Sequence, residues 1–326
     1  MNRIAVIVIG SNSTRSLCCD EAPALSHPMR GRVETRLLLH LNKENPMLTD
    51  EAIALLAGGV SHLYEQIQHE NARLVGLYAT SAVRDAQNAQ ALSATLESLC
   101  GQPLRVLSGR EEAAYSFYGA AGDWPRAGMI DIGGGSTEIA LGSGDTLAHA
   151  YSLQLGASRL HKRQPINSPY DIAMALSIAA EIAEPLHALQ RETERLPFCL
   201  VGGTGTSVAQ ILAAQTGRAD IEGMRLERQA VETLLGQIAA TPRNQRESIP
   251  GFPAGRADIL PTGMAALIAV MDALSLDHLQ VTQRGNTDGL LRAFVHKKLY
   301  PRQTEVTQRP ESAVKGKMEI CGANTT

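Results

Sequence analysis

Short apolar runs with the spacing of β-strands alternate along the chain with longer segments that have helical periodicity. Residues 4–9 form a continuous β-branched and apolar run, which predicts a buried strand. Ile130 and Ile132 flank Asp131 with a period of two, which predicts a second strand that carries this carboxylate to its end. Residues 32–41 are predicted to form a further strand beside the first one. This alternation of strands and helices predicts an α/β protein.

Three segments have the apolar spacing and the boundary residues of helices. Residues 49–71 begin with Thr49, whose side chain can cap the first turn, and their apolar side chains recur at helical spacing. Residues 169–189 are predicted to form a long helix with a kink or an early end at Pro185. Residues 257–274 are predicted to form another helix.

Small polar turns follow three of the predicted strands, at residues 10–15, 133–137 and 202–207. Glycines let the backbone approach a ligand closely, and a turn of this kind exposes successive amides that can bind an anion. A helix that begins at such a turn adds an N-terminus that favours phosphate. Asp131 cannot itself bind an anion, so its position beside one of the turns suggests a bridging Mg²⁺ ion. The alternative is that the glycines only satisfy the geometry of ordinary turns.

Charged side chains near these turns have a functional and a structural interpretation. Arg84 follows the end of a predicted strand, where it could hold a phosphate with two hydrogen bonds or lie on the surface in a salt bridge. Glu111 and Glu112 follow Ser108 in the first turn of a predicted helix, where the helix dipole alone favours carboxylates. Together with the three turns, these residues favour a site for phosphoryl transfer or phosphate hydrolysis.

The composition describes a globular protein with no general attraction to polyanions. Hydrophobic residues make up 44% of the chain and charged residues 19%, as in ordinary soluble domains. The formal net charge is −3, so neither nucleic acid nor a membrane is an expected partner. We find no signal-peptide pattern and expect no apolar run of transmembrane length. The five cysteines lack the spacing of metal ligands, which favours reduced thiols in the cytoplasm.

The two halves of the chain repeat one pattern, in which a strand, a small polar turn and a returning strand precede alternating helices and strands. With 326 residues, the chain is long enough for two domains with separate cores. We predict one α/β domain at residues 1–122 and a second at 123–300, with the first turn of each domain facing one cleft. The last helix of the second domain could pack back on the first. Residues 301–326 are polar without periodicity and are predicted to be a disordered tail.

Eight short segments resemble, in the same order, those of the exopolyphosphatase/guanosine pentaphosphate phosphatase family of the actin-like ATPase superfamily. These segments lie at residues 10–13, 79–86, 108–113, 131–138, 155–159, 202–204, 260–263 and 288–291. The resemblance extends over nearly all of the chain up to residue 300, and it is most specific around Arg84 and Asp131. It implies two ribonuclease-H-like domains with a phosphate-binding cleft between them.

The resemblance also implies roles for individual residues. Glu112 would be the general base that activates water, with Arg84 and Asp131 as the other catalytic residues. Asp131 and Glu138 would hold Mg²⁺. The implied phosphate-binding residues are Ser11, Asn12, Ser13, Arg84, Gly133, Gly134, Gly135, Ser136, Thr137, Gly203 and Thr204.

Three positions depart from the pattern of the family that the chain resembles. Val8 stands where the family has an aspartate two residues before the glycine of the first turn, so one carboxylate expected near the metal is absent. Residues 37–41 lack the usual glycines, and Thr287 replaces a common arginine. The loss of the carboxylate at Val8 bears most directly on catalysis.

These observations support three hypotheses. The favoured one is a Mg²⁺-dependent phosphatase that hydrolyses terminal phosphoanhydride bonds of inorganic polyphosphate or of a guanosine pentaphosphate; the sequence leaves open which substrate is used and whether the chain forms a homodimer. The second is a binding or regulatory protein that has kept the phosphate cleft and lost hydrolysis because of Val8. The third is an actin-like sugar or acetate kinase, which the segments around Glu112 and Arg84 disfavour.

Overall fold

The computed structural model describes residues 2–22, 24–41, 46–144, 146–297 and 319–321. The predicted disordered tail, 301–326, lies outside the described residues except for 319–321, which form a short strand.

A five-stranded sheet forms the centre of the first half of the chain. Its strands are β1 (Arg3–Ile9), β2 (Ser13–Asp20), β3 (Met29–Glu34), β4 (Ala72–Ala79) and β5 (Leu104–Val106). They lie in the order β3-β2-β1-β4-β5. The first three strands are antiparallel neighbours, whereas β4 is parallel to β1 and β5 is parallel to β4. Strand β1 is central and buried, as its continuous apolar run predicts.

A second sheet repeats this topology in the other half of the chain. Its strands are β6 (Ala127–Ile132), β7 (Thr137–Ser143), β8 (Thr146–Leu153), β9 (Phe198–Val201), β10 (Arg225–Glu227), β11 (His278–Val281) and β12 (Glu319–Cys321). They lie in the order β10-β11-β9-β6-β7-β8-β12. Strands β6, β7 and β8 form an antiparallel meander, and the parallel strands β9 and β11 continue the sheet on the other side of β6. The predicted pair of α/β units is confirmed.

Helices cover the faces of both sheets. They are α1 (Leu37–His40), α2 (Asp50–His69), α3 (Ser81–Asp85), α4 (Ala89–Cys100), α5 (Gly109–Ala120), α6 (Ala157–Arg163), α7 (Ile172–Ala183), α8 (Gln190–Thr193), α9 (Gly202–Thr216), α10 (Arg228–Ala240), α11 (Leu260–Ala273) and α12 (Asn286–Val295). Shorter 3₁₀ segments lie at Pro169–Asp171, Glu184–Leu189 and Arg243–Ser248. The predicted cap is confirmed, because the Thr49 side chain accepts a hydrogen bond from an amide in the first turn of α2.

The strand predicted at residues 32–41 is wrong in its second half. Strand β3 ends at Glu34, and Arg36 adopts a left-handed conformation with φ of 47°. The chain then forms α1, whose Leu37 and Leu38 side chains are buried. A residue in the left-handed region interrupts an extended strand. Successive side chains of a half-buried strand point to opposite faces, so two adjacent leucines can both be buried more readily in a helical turn.

One helical segment meets the length and hydropathy of a membrane span, contrary to the expectation that no run would. Residues from Pro169 to Thr193 have a mean hydropathy of 1.4 over their most apolar window, 28% of which is buried. Ala175 and Ala179 on this segment belong to the hydrophobic core, whereas Tyr170 is exposed. A single such helix is weak evidence for a span, since core helices of globular proteins pass the same test.

The two halves exchange helices. Helix α5 belongs by sequence to the first half, yet its Ala113 and Phe117 pack against Met129 of the second sheet. Conversely, α12 ends the second half and places Leu290 and Leu291 in the core of the first sheet. The two crossing helices therefore join both sheets.

Close contact between α5 and α12 depends on two glycines. A Cβ on Gly119 would lie 2.8 Å from the Gly289 nitrogen, and a Cβ on Gly289 would overlap the Tyr115 carbonyl oxygen. Because backbone atoms occupy the space on both sides, any larger residue at either position must separate the helices.

Gly289→Ala should lower the free energy of unfolding by about 1–3 kcal/mol, because the new methyl group overpacks the helix crossing. Urea denaturation of the two proteins measures this change. The matched control is Gly58→Ala on α2, where no atom lies within 4 Å of the new Cβ. That substitution should stabilise the protein by about 0.5–1 kcal/mol. Equal stability of Gly289→Ala and the parent protein would contradict the account of the crossing.

Candidate active site

Two turns of the same geometry lie at the edges of the two sheets. In the first sheet, residues 10–13 connect β1 to β2, and the Gly10 nitrogen donates to the Ser13 oxygen at 3.1 Å. In the second sheet, residues 133–136 connect β6 to β7, and the Gly133 nitrogen lies 3.0 Å from the Ser136 oxygen. The repeated strand pairing thus produces the same four-residue turn twice.

Each turn is held by the N-terminal amides of a following helical segment. The Thr35 and Arg36 nitrogens donate to the Asn12 oxygen at 3.0 and 2.7 Å, just before α1. The Ala157 nitrogen, at the start of α6, donates to the Gly133 oxygen at 3.0 Å. These bonds satisfy the turn carbonyls on the outer side. The Gly10 and Gly133 amides close the turns, which leaves the amides of residues 11–12 and 134–135 for an anion, as in other anion-binding turns.

The two turns contact each other across the cleft between the sheets. A Cβ on Gly134 would lie 3.0 Å from the Asn12 Cβ, and one on Gly135 would lie 2.6 Å from the Ser81 Oγ. Glycine is therefore needed here for close approach, and no side chain separates the two sets of amides. Both turns line one cleft.

Two carboxylates face each other on one side of the second sheet. Asp131 on β6 is the register partner of Glu138 on β7, so both side chains lie on the same face. The Ser116 hydroxyl donates to Asp131 Oδ2 at 2.8 Å, and the Ser152 hydroxyl donates to Glu138 Oε1 at 2.8 Å. These hydroxyls fix the orientation of both carboxylates.

Helix α5 adds a third carboxylate to this group. Glu112 and Ser116 are one helical turn apart, so the helix that orients Asp131 also presents Glu112. Arg84 Nη1 lies 3.1 Å from Glu112 Oε2 and 2.7 Å from the carbonyl oxygen of Leu107. The adjacent Glu111 has a different role, because its side chain completes the capping box of α5.

Burial controls the protonation of the three carboxylates. It raises the pKa of Glu112 to about 7 despite the opposing charge of Arg84. Burial also raises the pKa of Asp131. The pKa of Glu138 is well above its ordinary value, because burial is reinforced by the charges of Glu112 and Asp131. A carboxyl group with a pKa near 7 is suited to exchange protons at neutral pH.

Most of the predicted site residues lie on the wall of the cleft. The predicted residues on this wall are Ser11, Asn12, Ser13, Glu112, Asp131, Gly133, Gly134, Gly135, Ser136, Gly203 and Thr204.

Three predicted residues do not line the cleft. Arg84 contacts Glu112, and Glu138 lies beside Asp131 on the adjacent strand. Thr137 is fully buried and donates its hydroxyl hydrogen bond to the Leu155 carbonyl. Thr137 thus stabilises the hairpin and cannot contact a ligand in this arrangement.

Two arginines on the cleft wall were not predicted from the sequence. Arg15 is on β2, two residues after the first turn, and Arg256 precedes α11. Burial lowers the pKa of Arg256 to about 9, so the side chain remains cationic at neutral pH. Gly203 makes room for it, because a Cβ there would lie 2.7 Å from Arg256 Nη1. The alternation of β2 could have identified Arg15, whereas Arg256 has no local signal.

The cleft residues fit a Mg²⁺ ion only if it binds together with phosphate. Within the part of the chain that the structure describes, no group of three His, Cys, Asp or Glu side chains could hold a metal ion. Asp131 lines the cleft and Glu138 does not. Mg²⁺ in phosphate sites is commonly held by one or two carboxylates, with waters and substrate phosphates as the other ligands. Asp131 can serve as such a ligand.

The fold and the site together define a two-domain α/β protein with an anion-binding cleft. On the wall of this cleft, Glu112 is suited to exchange protons. A sequence profile of the Ppx/GppA phosphatase family matches residues 21–298. The chain belongs to this family and is a hydrolase. This family assignment favours the phosphatase class over the kinase hypothesis.

Curated relatives include two kinds of enzyme. Exopolyphosphatase 2 of Mycobacterium tuberculosis is 30% identical over 318 residues, which cover 89% of this chain and 98% of that protein. The guanosine-5'-triphosphate,3'-diphosphate pyrophosphatase of Vibrio cholerae is 27% identical over 335 residues. That alignment covers 98% of this chain and 64% of the longer protein.

Solved structures of similar proteins confirm the fold. An exopolyphosphatase from Cytophaga hutchinsonii has a TM-score of 0.81 at 23% identity, covering 91% of this chain and 99% of that one. The Ppx/GppA family member of Aquifex aeolicus has a TM-score of 0.73 at 21% identity, covering 91% and 98%. The predicted actin-like arrangement of two ribonuclease-H-like domains is confirmed.

The raised pKa of Glu112 predicts how stability depends on pH. The folded protein keeps this proton up to pH 7 or so, whereas the unfolded chain releases it near the ordinary pKa of 4.5. The free energy of unfolding of the metal-free protein should therefore fall as pH rises through this window, with Glu112 contributing about 3 kcal/mol at most.

Urea denaturation between pH 4.5 and 8 tests this prediction. Glu112→Gln should flatten the pH dependence, while Glu181→Gln, at an exposed position of α7, should leave it unchanged. An identical pH dependence in Glu112→Gln and the parent would show that Glu112 has no raised pKa.

Proposed function

We propose that this chain hydrolyses the terminal phosphoanhydride bond of inorganic polyphosphate or of a guanosine pentaphosphate. One observation carries the proposal: Glu112, with its pKa raised to about 7, lies on the wall of a cleft formed by two amide-lined turns. The names of the curated relatives support both substrates, which share a chain of phosphoanhydride bonds with a terminal phosphate.

The terminal phosphate would bind between the two turns. Their amides and the hydroxyls of Ser11, Ser13 and Ser136 can donate hydrogen bonds to its oxygens. Binding by both domains fixes the phosphorus relative to α5, and such positioning supplies a large part of the rate enhancement in phosphoryl transfer.

Glu112 would accept a proton from the attacking water. The phosphorus–oxygen bond to the leaving phosphate then breaks as the bond to water forms, and the products are orthophosphate and a chain one phosphate shorter. Arg84 donates to Glu112 at 3.1 Å and orients its carboxylate. Mg²⁺, when bound at Asp131, would neutralise charge on the phosphate oxygens. Glu138, whose pKa is raised, would support Asp131 from the adjacent strand.

A second candidate function is a phosphate-binding or regulatory protein without hydrolysis. The observation that favours it is Val8, an apolar residue, 3% exposed, on the cleft wall next to the first turn. Without a carboxylate at this position, Asp131 would be the one carboxylate left for a metal ion on the described part of the wall, because Glu112 is assigned as the base. Binding would then persist while turnover is lost.

We infer a cytoplasmic protein that acts on a small anionic substrate and not on nucleic acid or a membrane. Cys18, Cys19, Cys100 and Cys199 are free and buried, which agrees with a reducing compartment. The net charge of −3 gives no general attraction to nucleic acid or to an anionic membrane, so phosphate binding depends on the local groups of the cleft.

Glu112→Gln should reduce phosphate release from tripolyphosphate by at least about 10²–10⁴-fold, because the amide cannot accept the proton from water. Binding of the substrate should stay within a few-fold of the parent, since the turns are intact. Orthophosphate release with Mg²⁺ and calorimetric binding measure the two effects. Parental rates in the variant would show that another group is the base.

Val8→Asp tests the second candidate function. If the missing carboxylate prevents turnover, the parent should bind tripolyphosphate without releasing phosphate, and the variant should gain Mg²⁺-dependent release. Val8→Asn is the matched control, because it adds polarity without charge. Release by the parent at rates that Val8→Asp does not raise would eliminate the binding-protein hypothesis.

A further inference from the structure

The short helix α3 contacts both turns and the carboxylate of the proposed base. In the first turn, the Ser11 hydroxyl oxygen accepts a hydrogen bond from the Ala82 amide at 3.1 Å. In the second turn, a Cβ on Gly135 would lie 2.6 Å from the Ser81 Oγ. Arg84, on the same five-residue helix, donates to the base at 3.1 Å. The position of α3 therefore determines how the base is oriented relative to both turns.

Arg159 on α6 joins α3 to the second turn. Its Nε atom donates to the Gly135 carbonyl oxygen, and its Nη2 atom donates to Ser81 Oγ at 3.2 Å and to the Asp85 carboxylate. Gly135 and α6 belong to the second domain, whereas Ser81 and Asp85 belong to the first. The Arg159 side chain does not line the cleft. One guanidinium group thus connects the two domains beside the second turn.

The second turn does not need the Arg159 side chain to keep its shape. The Ala157 amide donates to the Gly133 oxygen at 3.0 Å. The Ser158 and Arg159 amides donate to the Gly134 oxygen at 2.8 and 3.0 Å. These three bonds come from the backbone at the start of α6. The guanidinium group therefore adds a link between the turn and α3.

The chemistry of this link suits orientation better than global stability. The Arg159 and Asp85 side chains are 29% and 27% exposed, and an ion pair at such a position contributes little to the free energy of unfolding. A guanidinium group is planar, however, and its donors have fixed directions. Because its three acceptors come from two domains, the group fixes how α3 is oriented relative to the second turn.

We propose that Arg159 is a positioning residue, which clamps α3 of the first domain to the second turn and so holds Arg84 against Glu112 when the two domains enclose a phosphate. This inference rests on the proposed function, because it assumes that Glu112 acts on a phosphate bound at that turn. Asp85 directly follows Arg84 in the chain, so a shift of Asp85 also displaces the guanidinium that orients Glu112.

Arg159→Met should lower kcat for tripolyphosphate hydrolysis with Mg²⁺ by about 10–100-fold, because a displacement of about 1 Å can cost about 100-fold in rate. KM should stay within a few-fold of the parent, since backbone amides keep the second turn in place. The matched control is Arg163→Met, which removes the same charge from α6, but from a pair with Glu181 inside the second domain. The control should keep the parental kcat. A parental kcat in Arg159→Met, or a change confined to KM, would overturn the proposal.

A double-mutant cycle tests whether Arg159 acts through Asp85. Asp85→Ala should also lower kcat, and it should cause a smaller further loss in the Arg159→Met background, because both substitutions break the same contact. Fully additive losses in the double variant would show that the two residues act separately, which contradicts the clamp.

Amide hydrogen exchange, followed by mass spectrometry, gives a measurement that does not depend on turnover. In the parent, α3 amides are bonded to Ser11 and to the Thr80 carbonyl. Arg159→Met should speed exchange in the peptide that contains α3, although this helix lies in the other domain, whereas Arg163→Met should not. Unchanged exchange of α3 in Arg159→Met would refute the clamp.

The two measurements separate this inference from the proposed function. If the parent hydrolyses tripolyphosphate and Arg159→Met matches it in kcat and in exchange, the clamp is wrong while the phosphatase proposal stands. If the parent releases no phosphate and only Arg159→Met loosens α3, the proposed function fails while the contact between the domains stands. Urea denaturation of each variant establishes that losses do not arise from global unfolding.

Discussion

The close approach of two glycine-containing turns is the constraint on which the rest of the structure depends. Residues 10–13 and 133–136 come from different sheets, yet a Cβ on Gly134 would lie only 3.0 Å from Asn12. This contact leaves no room for a side chain, and it requires that both sheets present the same turn in the same orientation. The repeated order of strands provides the orientation, and the exchanged helices α5 and α12 fix the distance between the sheets.

The same arrangement places both carboxylates and guanidinium groups on the wall of one cleft. Helix α5 packs on the second sheet and thereby buries Glu112 beside Asp131. Burial disfavours the charged form of both carboxyl groups, so their pKa values are raised. On the same wall, Arg256 is buried and Arg15 is half-buried, and neither has a carboxylate within 4 Å among the described residues. Burying a charged group without a partner is unfavourable, both for the carboxylates and for Arg256. A phosphate chain bound in the cleft, as proposed above, would place negative charge beside the arginines and leave Glu112 free to accept a proton.

Features that depend on local sequence could be predicted. The hairpin around Asp131 and the cap at Thr49 follow from strand periodicity and turn chemistry over a few residues. The conformation at Arg36 could not be predicted, because it depends on the Asn12 carbonyl, which accepts two amides from a distant segment. Arg256 was missed for a related reason, since tertiary packing beneath Gly203 alone brings it to the cleft. Thr137 shows the opposite case: it belongs to a recognisable motif and was predicted to bind phosphate, but its side chain is buried in the core.

Isotope transfer from water tests the central claim most directly. The parent protein is incubated with tripolyphosphate and Mg²⁺ in ¹⁸O-labelled water, and the products are analysed by mass spectrometry. If Glu112 activates water against the terminal phosphorus, the released orthophosphate carries one ¹⁸O atom and the pyrophosphate carries none. Label in the pyrophosphate, or unlabelled orthophosphate, would contradict attack of water on the terminal phosphate.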